Sequence, residues 1–109
     1  MTKDELTAWA LGNGWTMIGG HPSLTKPTRP NKPAGEAIVR MVLKVTVVHV
    51  EAKKPAGNKW EKLSGADYAA VVADEETGVP GGLGLETIPG FRMLMQENRD
   101  RQVFAGFGR

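Results

Sequence analysis

The chain has 109 residues, 40% of them hydrophobic and 24% charged, with a net charge of +2 and no cysteine. That composition bounds one small domain, 1–109, with a single core. It excludes disulfides, thiolate metal sites and a cysteine nucleophile. A reducing cytoplasm is the expected compartment, because there is no signal-peptide segment and no apolar run near the roughly 20 residues of a membrane span.

Thr2-Lys-Asp-Glu5 fits a capping box and predicts a first helix carrying Leu6, Trp9 and Ala10 at helical spacing. Gly12-Asn13-Gly14 ends it, and Trp15 to Ile18 reads as a short strand. Residues 19–35 read as a Pro-rich basic loop, with Pro22, Pro27, Pro30 and Pro33 among Lys26, Arg29 and Lys32 and no acidic residue.

Residues 36–51 form the densest apolar run, free of Gly and Pro. Taken with period two, Ala37, Val39, Met41, Leu43, Val45 and Val47 share one face, the expected core face. Glu36, Ile38, Arg40, Val42, Lys44 and Thr46 share the other, which is mixed and cationic. The phase changes at Val47-Val48, which predicts a bulge or sharp bend in one long strand, or else two strands meeting at a corner.

A turn over 53–58 leads to a returning strand, Lys59 to Leu63, on which Trp60 packs against the sheet. Ser64-Gly-Ala-Asp67 fits a second capping box and predicts a helix over 68–76, with Tyr68, Val71 and Val72 buried. Residues 79–109 read as a Gly-rich loop and an apolar tail that frays or docks on a partner. Thr87 to Asn98 within it offers a third helix. The expected fold class is α+β: a two-layer sandwich in the order α-β-β-β-α, with a long bent central strand and both helices on one face.

The charge is unevenly divided. Residues 1–63 hold ten Lys/Arg against five Asp/Glu, whereas residues 64–109 hold four against seven. Lys26, Arg29, Lys32, Arg40, Lys44, Lys53, Lys54, Lys59 and Lys62 therefore predict a surface for nucleic acid or another polyanion, since phosphate backbones are bound by such side chains without strict spacing. A rival reading is an assembly protein, of the kind bacterial and phage accessory proteins represent. It would dock on a protein partner or on its own copy through Phe91, Met93, Leu94, Met95, Phe104 and Phe107. No cofactor, metal or membrane partner is expected. Asp74-Glu-Glu76 lacks the alternating oxygens of a cation loop, and Gly81 to Gly84 lacks the Lys-Ser/Thr of a phosphate loop.

Asp4-Glu-Leu6, Asn13-Gly-Trp15 and Gly20-His21, some 20 residues in all, resemble the start of HicA-type toxins. The resemblance implies a small α-β-β-β-α ribonuclease of the double-stranded-RNA-binding kind, with His21 as its catalytic residue. The chain departs from that family's Gly-Ser-His motif in carrying Gly20 at the serine position and Pro22 after the histidine.

Overall fold

The computed structural model describes residues 1–26, 36–54 and 58–107, with the backbone alone for 103–107. Helix α1 (Lys3–Leu11) starts at the predicted capping box. The Thr2 hydroxyl accepts from the Glu5 amide, and the Glu5 carboxylate accepts from the Thr2 amide. Each bond satisfies an amide that the first helical turn leaves without a partner.

Five strands follow: β1 (Thr16–Ile18), β2 (His21–Thr25), β3 (Ala37–Leu43), β4 (Val47–Lys53) and β5 (Trp60–Asp67). They form one antiparallel sheet in the order β1-β2-β3-β4-β5. The predicted α+β class holds, with five strands in place of three. The loop expected over 19–35 begins instead as structure. Gly19 and Gly20, both at positive φ, make a two-residue hairpin turn, and His21 to Thr25 return as β2. The remainder of that stretch, 27–35, with Arg29 and Lys32, lies outside the described residues.

The single long strand over 36–51 is two strands. Leu43 pairs with Val48, and the Lys44 amide donates to the Val47 carbonyl, so Val45 and Thr46 form a two-residue turn. Such a turn makes odd positions of β3 share a face with even positions of β4. The phase change at Val47-Val48 is this switch of parity, not a bulge. Val39 and Met41 on β3 are buried together with Val48 and Val50 on β4. Val45, expected in the core, is 91% exposed at the tip of the turn. The neighbouring ladders do carry bulges, at Leu24/Thr25 and opposite Val50.

The helix predicted over 68–76 is absent. Gly65 to Asp67 extend β5 and pair with β4, with Ser64 in the bulge opposite Val50, and Tyr68–Ala70 make only one 3-10 turn. Pairing along β4 satisfies the backbone of residues 65–67 directly, whereas an isolated helix of that length is marginal. Asp74 caps a turn instead, its carboxylate accepting from the Glu76 and Thr77 amides, and those hydrogen bonds hold its pKa below the usual Asp range. The second α-helix, α2 (Phe91–Phe107), lies within the predicted tail and starts four residues beyond the proposed Thr87 cap.

Both helices lie on the same face of the sheet. Leu6 and Ala10 of α1, and Phe91, Leu94 and Met95 of α2, join Leu24, Val39, Met41, Val48 and Val50 in one apolar cluster. Burial of each large apolar side chain is worth about 1.5–3 kcal/mol. Trp15 sits between the two helices. Its ring is 6.0 Å from Trp9 and 6.3 Å from Phe91, and its indole nitrogen donates to the Met95 sulfur at 3.4 Å. The Gly-rich connection contributes Val79, Leu83 and Leu85 to the same core, so it is packed although it is irregular.

α2 is fastened to β2 by buried Asn98. Its Oδ1 accepts from the Thr25 amide and hydroxyl, both at 3.0 Å, and its Nδ2 donates to the carbonyls of Leu94 and Thr25. The bulge at Leu24/Thr25 falls beside this contact. With both helices on one side, no other helix among the described residues covers the opposite side of the sheet.

Candidate functional site

Cross-strand partners share a face, and the register therefore writes out the open side row by row. Thr16, Ser23, Arg40, Glu51 and Lys62 form one row across all five strands. Val42, His49 and Gly65 form the next towards the hairpin tip. Lys53 and Trp60 are partners at the other end.

The centre of the face is an ion cluster on an aromatic support. Arg40 donates to Glu51 Oε1 from both Nε and Nη2 at 2.7 Å, and His49 Nε2 stands 3.2 Å from Glu51 Oε2. The Arg40 guanidinium lies 4.0 Å above the Trp60 ring, with the Lys53 ammonium 4.9 Å from it. Lys53 in turn pairs with Glu36 at 2.6 Å. These two cations are neutralised by their partners, and their stems and charges cover the indole.

Burial alone would raise the Glu51 pKa, but hydrogen bonds from Arg40 and His49 and the Arg40 charge outweigh it. The carboxyl titrates below the usual Glu range. A carboxyl whose pKa falls on folding adds stability that is complete above the unfolded value, about 4.3, and is lost as pH drops through the folded one. Glu51→Gln is therefore expected to flatten the acid limb of the stability–pH curve below about pH 4.3. Urea unfolding at a series of pH values reads this. An acid limb identical to that of the parent chain would contradict the pairing. Glu36, whose pKa is lowered first by its hydrogen bond from Lys53, contributes in the same window and leaves a residual slope.

His49 is buried although it stands on the open face, because its cross-strand partner is Gly65. A Cβ at Gly65 would come within 3.1 Å of His49 Cβ, so a larger residue there would displace the His49 side chain or the strand. Beside this pair is a depression of about 420 Å³, walled by Lys44 and Lys62, floored by His49 and Gly65 and rimmed by Asp67. The Lys62 stem passes 3.6 Å from the position of the missing Gly65 Cβ, which carries its ammonium along β5 towards the hairpin tip. Neither Lys44 nor Lys62 has a carboxylate within ion-pair distance among the described residues.

The structure thus divides the nine predicted cationic residues. Arg40, Lys53 and Lys54 are paired, the last with Glu61 at 3.2 Å. Lys44 and Lys62 share the depression, whereas Lys26 and Lys59 are exposed away from it, at the end of β2 and just before β5. Arg29 and Lys32 lie outside the described residues.

His21, catalytic by the HicA resemblance, opens β2 directly after the Gly19-Gly20 turn. Its ring meets no carboxylate among the described residues, and β3 separates it from His49 on the same face. No group of three metal-ligating side chains occurs among the described residues. Nor is any helix of those residues long and apolar enough to cross a membrane.

The residues proposed for partner docking are also divided. Phe91, Leu94 and Met95 pack into the chain's own core, where the two helices meet. Met93 is 69% exposed, and the side chains of Phe104 and Phe107 are outside the described residues. Sequence reasoning missed the Arg40–Glu51–His49–Trp60 cluster and the role of Gly65. Residues 40 and 51 become neighbours only once the turn at Val45-Thr46 is known. No family model, curated protein or solved structure matches the chain.

Proposed function

We propose that this chain is a non-enzymatic binding module that takes nucleic acid on the open face of its sheet, beside the β3–β4 hairpin. The observation that carries the reading is the depression between Lys44 and Lys62, two cations without carboxylate partners among the described residues, on the face the helices leave bare. Phosphates are attracted by uncompensated ammonium groups, and a sheet face presents them with little rearrangement. Arg40 and Lys53 act in support, since each would have to leave a carboxylate before it met a phosphate.

The test is fluorescence anisotropy of a labelled short oligonucleotide, single-stranded and duplex, titrated at low salt and then at rising salt. Affinity is expected to fall linearly on logarithmic axes, with a slope of about 0.7 per phosphate for the single strand and about 0.9 for the duplex. No binding of either form at low salt would overturn the reading.

A second reading, assembly with a protein partner or another copy, rests on a different surface. An apolar groove of about 370 Å³ runs between the sheet and α2, lined by Ile38, Ala52, Ile88, Pro89, Met93 and Leu94. Sedimentation of the same samples measures the mass of the chain with and without oligonucleotide. A multimer in the absence of oligonucleotide favours this reading.

A further inference from the structure

We infer that the depression at the hairpin is a subsite for one phosphodiester, gripped by Lys44 and Lys62 together over the His49–Gly65 pair; this deepens the nucleic-acid reading and rests on it. Three features separate it from a diffuse basic surface. Its floor is built: Gly65 brings no side chain, and His49 Cβ and the Lys62 stem close over it, 3.1 and 3.6 Å from where a Cβ would stand. Its walls converge, because Lys62 leans over Gly65 towards the hairpin from which Lys44 comes. The hairpin end is braced, since the Tyr68 hydroxyl donates to the Lys44 carbonyl at 2.6 Å and ties the end of β3 to the residue after β5.

Two ammonium groups and one carboxylate, that of Asp67, line the depression, so its net charge is positive and attracts a phosphate. A backbone phosphodiester carries one charge. A terminal phosphate monoester carries close to two near pH 7 and is drawn more strongly by the same net charge, so the diester is assigned on the nucleic-acid reading and not on charge.

The inference is tested on the full chain in two measurements. Inorganic phosphate and dimethyl phosphate are titrated while backbone amide resonances are followed by NMR. Saturable shifts at Gly65 and His49 are expected with both probes and absent from Lys44→Gln/Lys62→Gln. Circular dichroism verifies that this variant is folded.

The salt slope of oligonucleotide binding is then compared for Lys44→Gln, Lys62→Gln and the double variant. Two lysines on one phosphate predict that the double substitution lowers the slope by about one phosphate equivalent, hardly more than either single one. Lys54→Gln/Lys59→Gln, outside the depression, serves as the control.

A fall of about two equivalents in the double variant, or no shift at Gly65 with either phosphate, overturns the shared subsite even where oligonucleotide binding persists. Equal losses in the control variant overturn it as well. Saturable shifts with dimethyl phosphate in a chain that binds no oligonucleotide would instead retain the subsite and overturn the nucleic-acid function.

Discussion

Trp15→Ala is expected to cost about 3–5 kcal/mol, a large share of the roughly 5–15 kcal/mol that stabilises an ordinary domain. The indole is 1% exposed and lies where α1, α2 and the sheet meet, against Trp9, Phe91 and Met95. Truncation removes this large apolar surface from the core. It also leaves a cavity that two helices, joined to the sheet at separate points, cannot easily collapse. Urea unfolding followed by circular dichroism gives the loss directly. A midpoint shift worth under about 1 kcal/mol would mean that the helices pack independently of the tryptophan.

A pair of aspartates on one hairpin should give opposite results. Met41→Asp is expected to abolish folding, because residue 41 is fully buried between the sheet and the helices and a carboxylate there has no partner. Val45→Asp, four residues on and on the same face by simple alternation, is expected to change stability by no more than about 0.5 kcal/mol, because its side chain stands in solvent at the turn. Expression, circular dichroism and thermal melting of the two variants decide the matter. A folded Met41→Asp, or an unfolded Val45→Asp, would refute the two-residue turn at Val45-Thr46.

That contrast also shows what the residues disclosed about the fold. Local signals with a stereochemical cause were legible: the Thr2–Glu5 capping box and the alternation of Val39 and Met41 correspond to observed structure. The Val45-Thr46 turn was not, because tight hairpins favour residues that tolerate positive φ, whereas here two β-branched residues turn the chain at negative φ. Ser64 and Asp67 carry the pattern of a helix cap yet stand in a strand, since pairing of residues 65–67 with β4 claims the backbone first. Leu83 and Leu85 were hidden by the glycines around them, which mark irregular backbone without indicating burial.

The same limits applied to the site. The excess of Lys/Arg before residue 64 pointed to an anionic partner, but Arg40 and Lys53 find carboxylates across the sheet that linear spacing does not reveal. Lys44 and Lys62 are 18 positions apart along the chain and meet through two strand pairings.

The strand order also bears on how the molecule is made. Every strand pairs with its predecessor, so the sheet can zip up hairpin by hairpin from short loops, each closing on a scale of about 1–10 μs. The contact between Trp15 and Met95 spans 80 positions and cannot form until most of the chain has been synthesised. On a ribosome all five strands therefore emerge before α2, so Leu24, Val39 and Met41 wait for the helix that covers them. That interval, not the finished protein, is when the chain is most exposed to aggregation, and the arrival of Phe91, Leu94 and Met95 ends it.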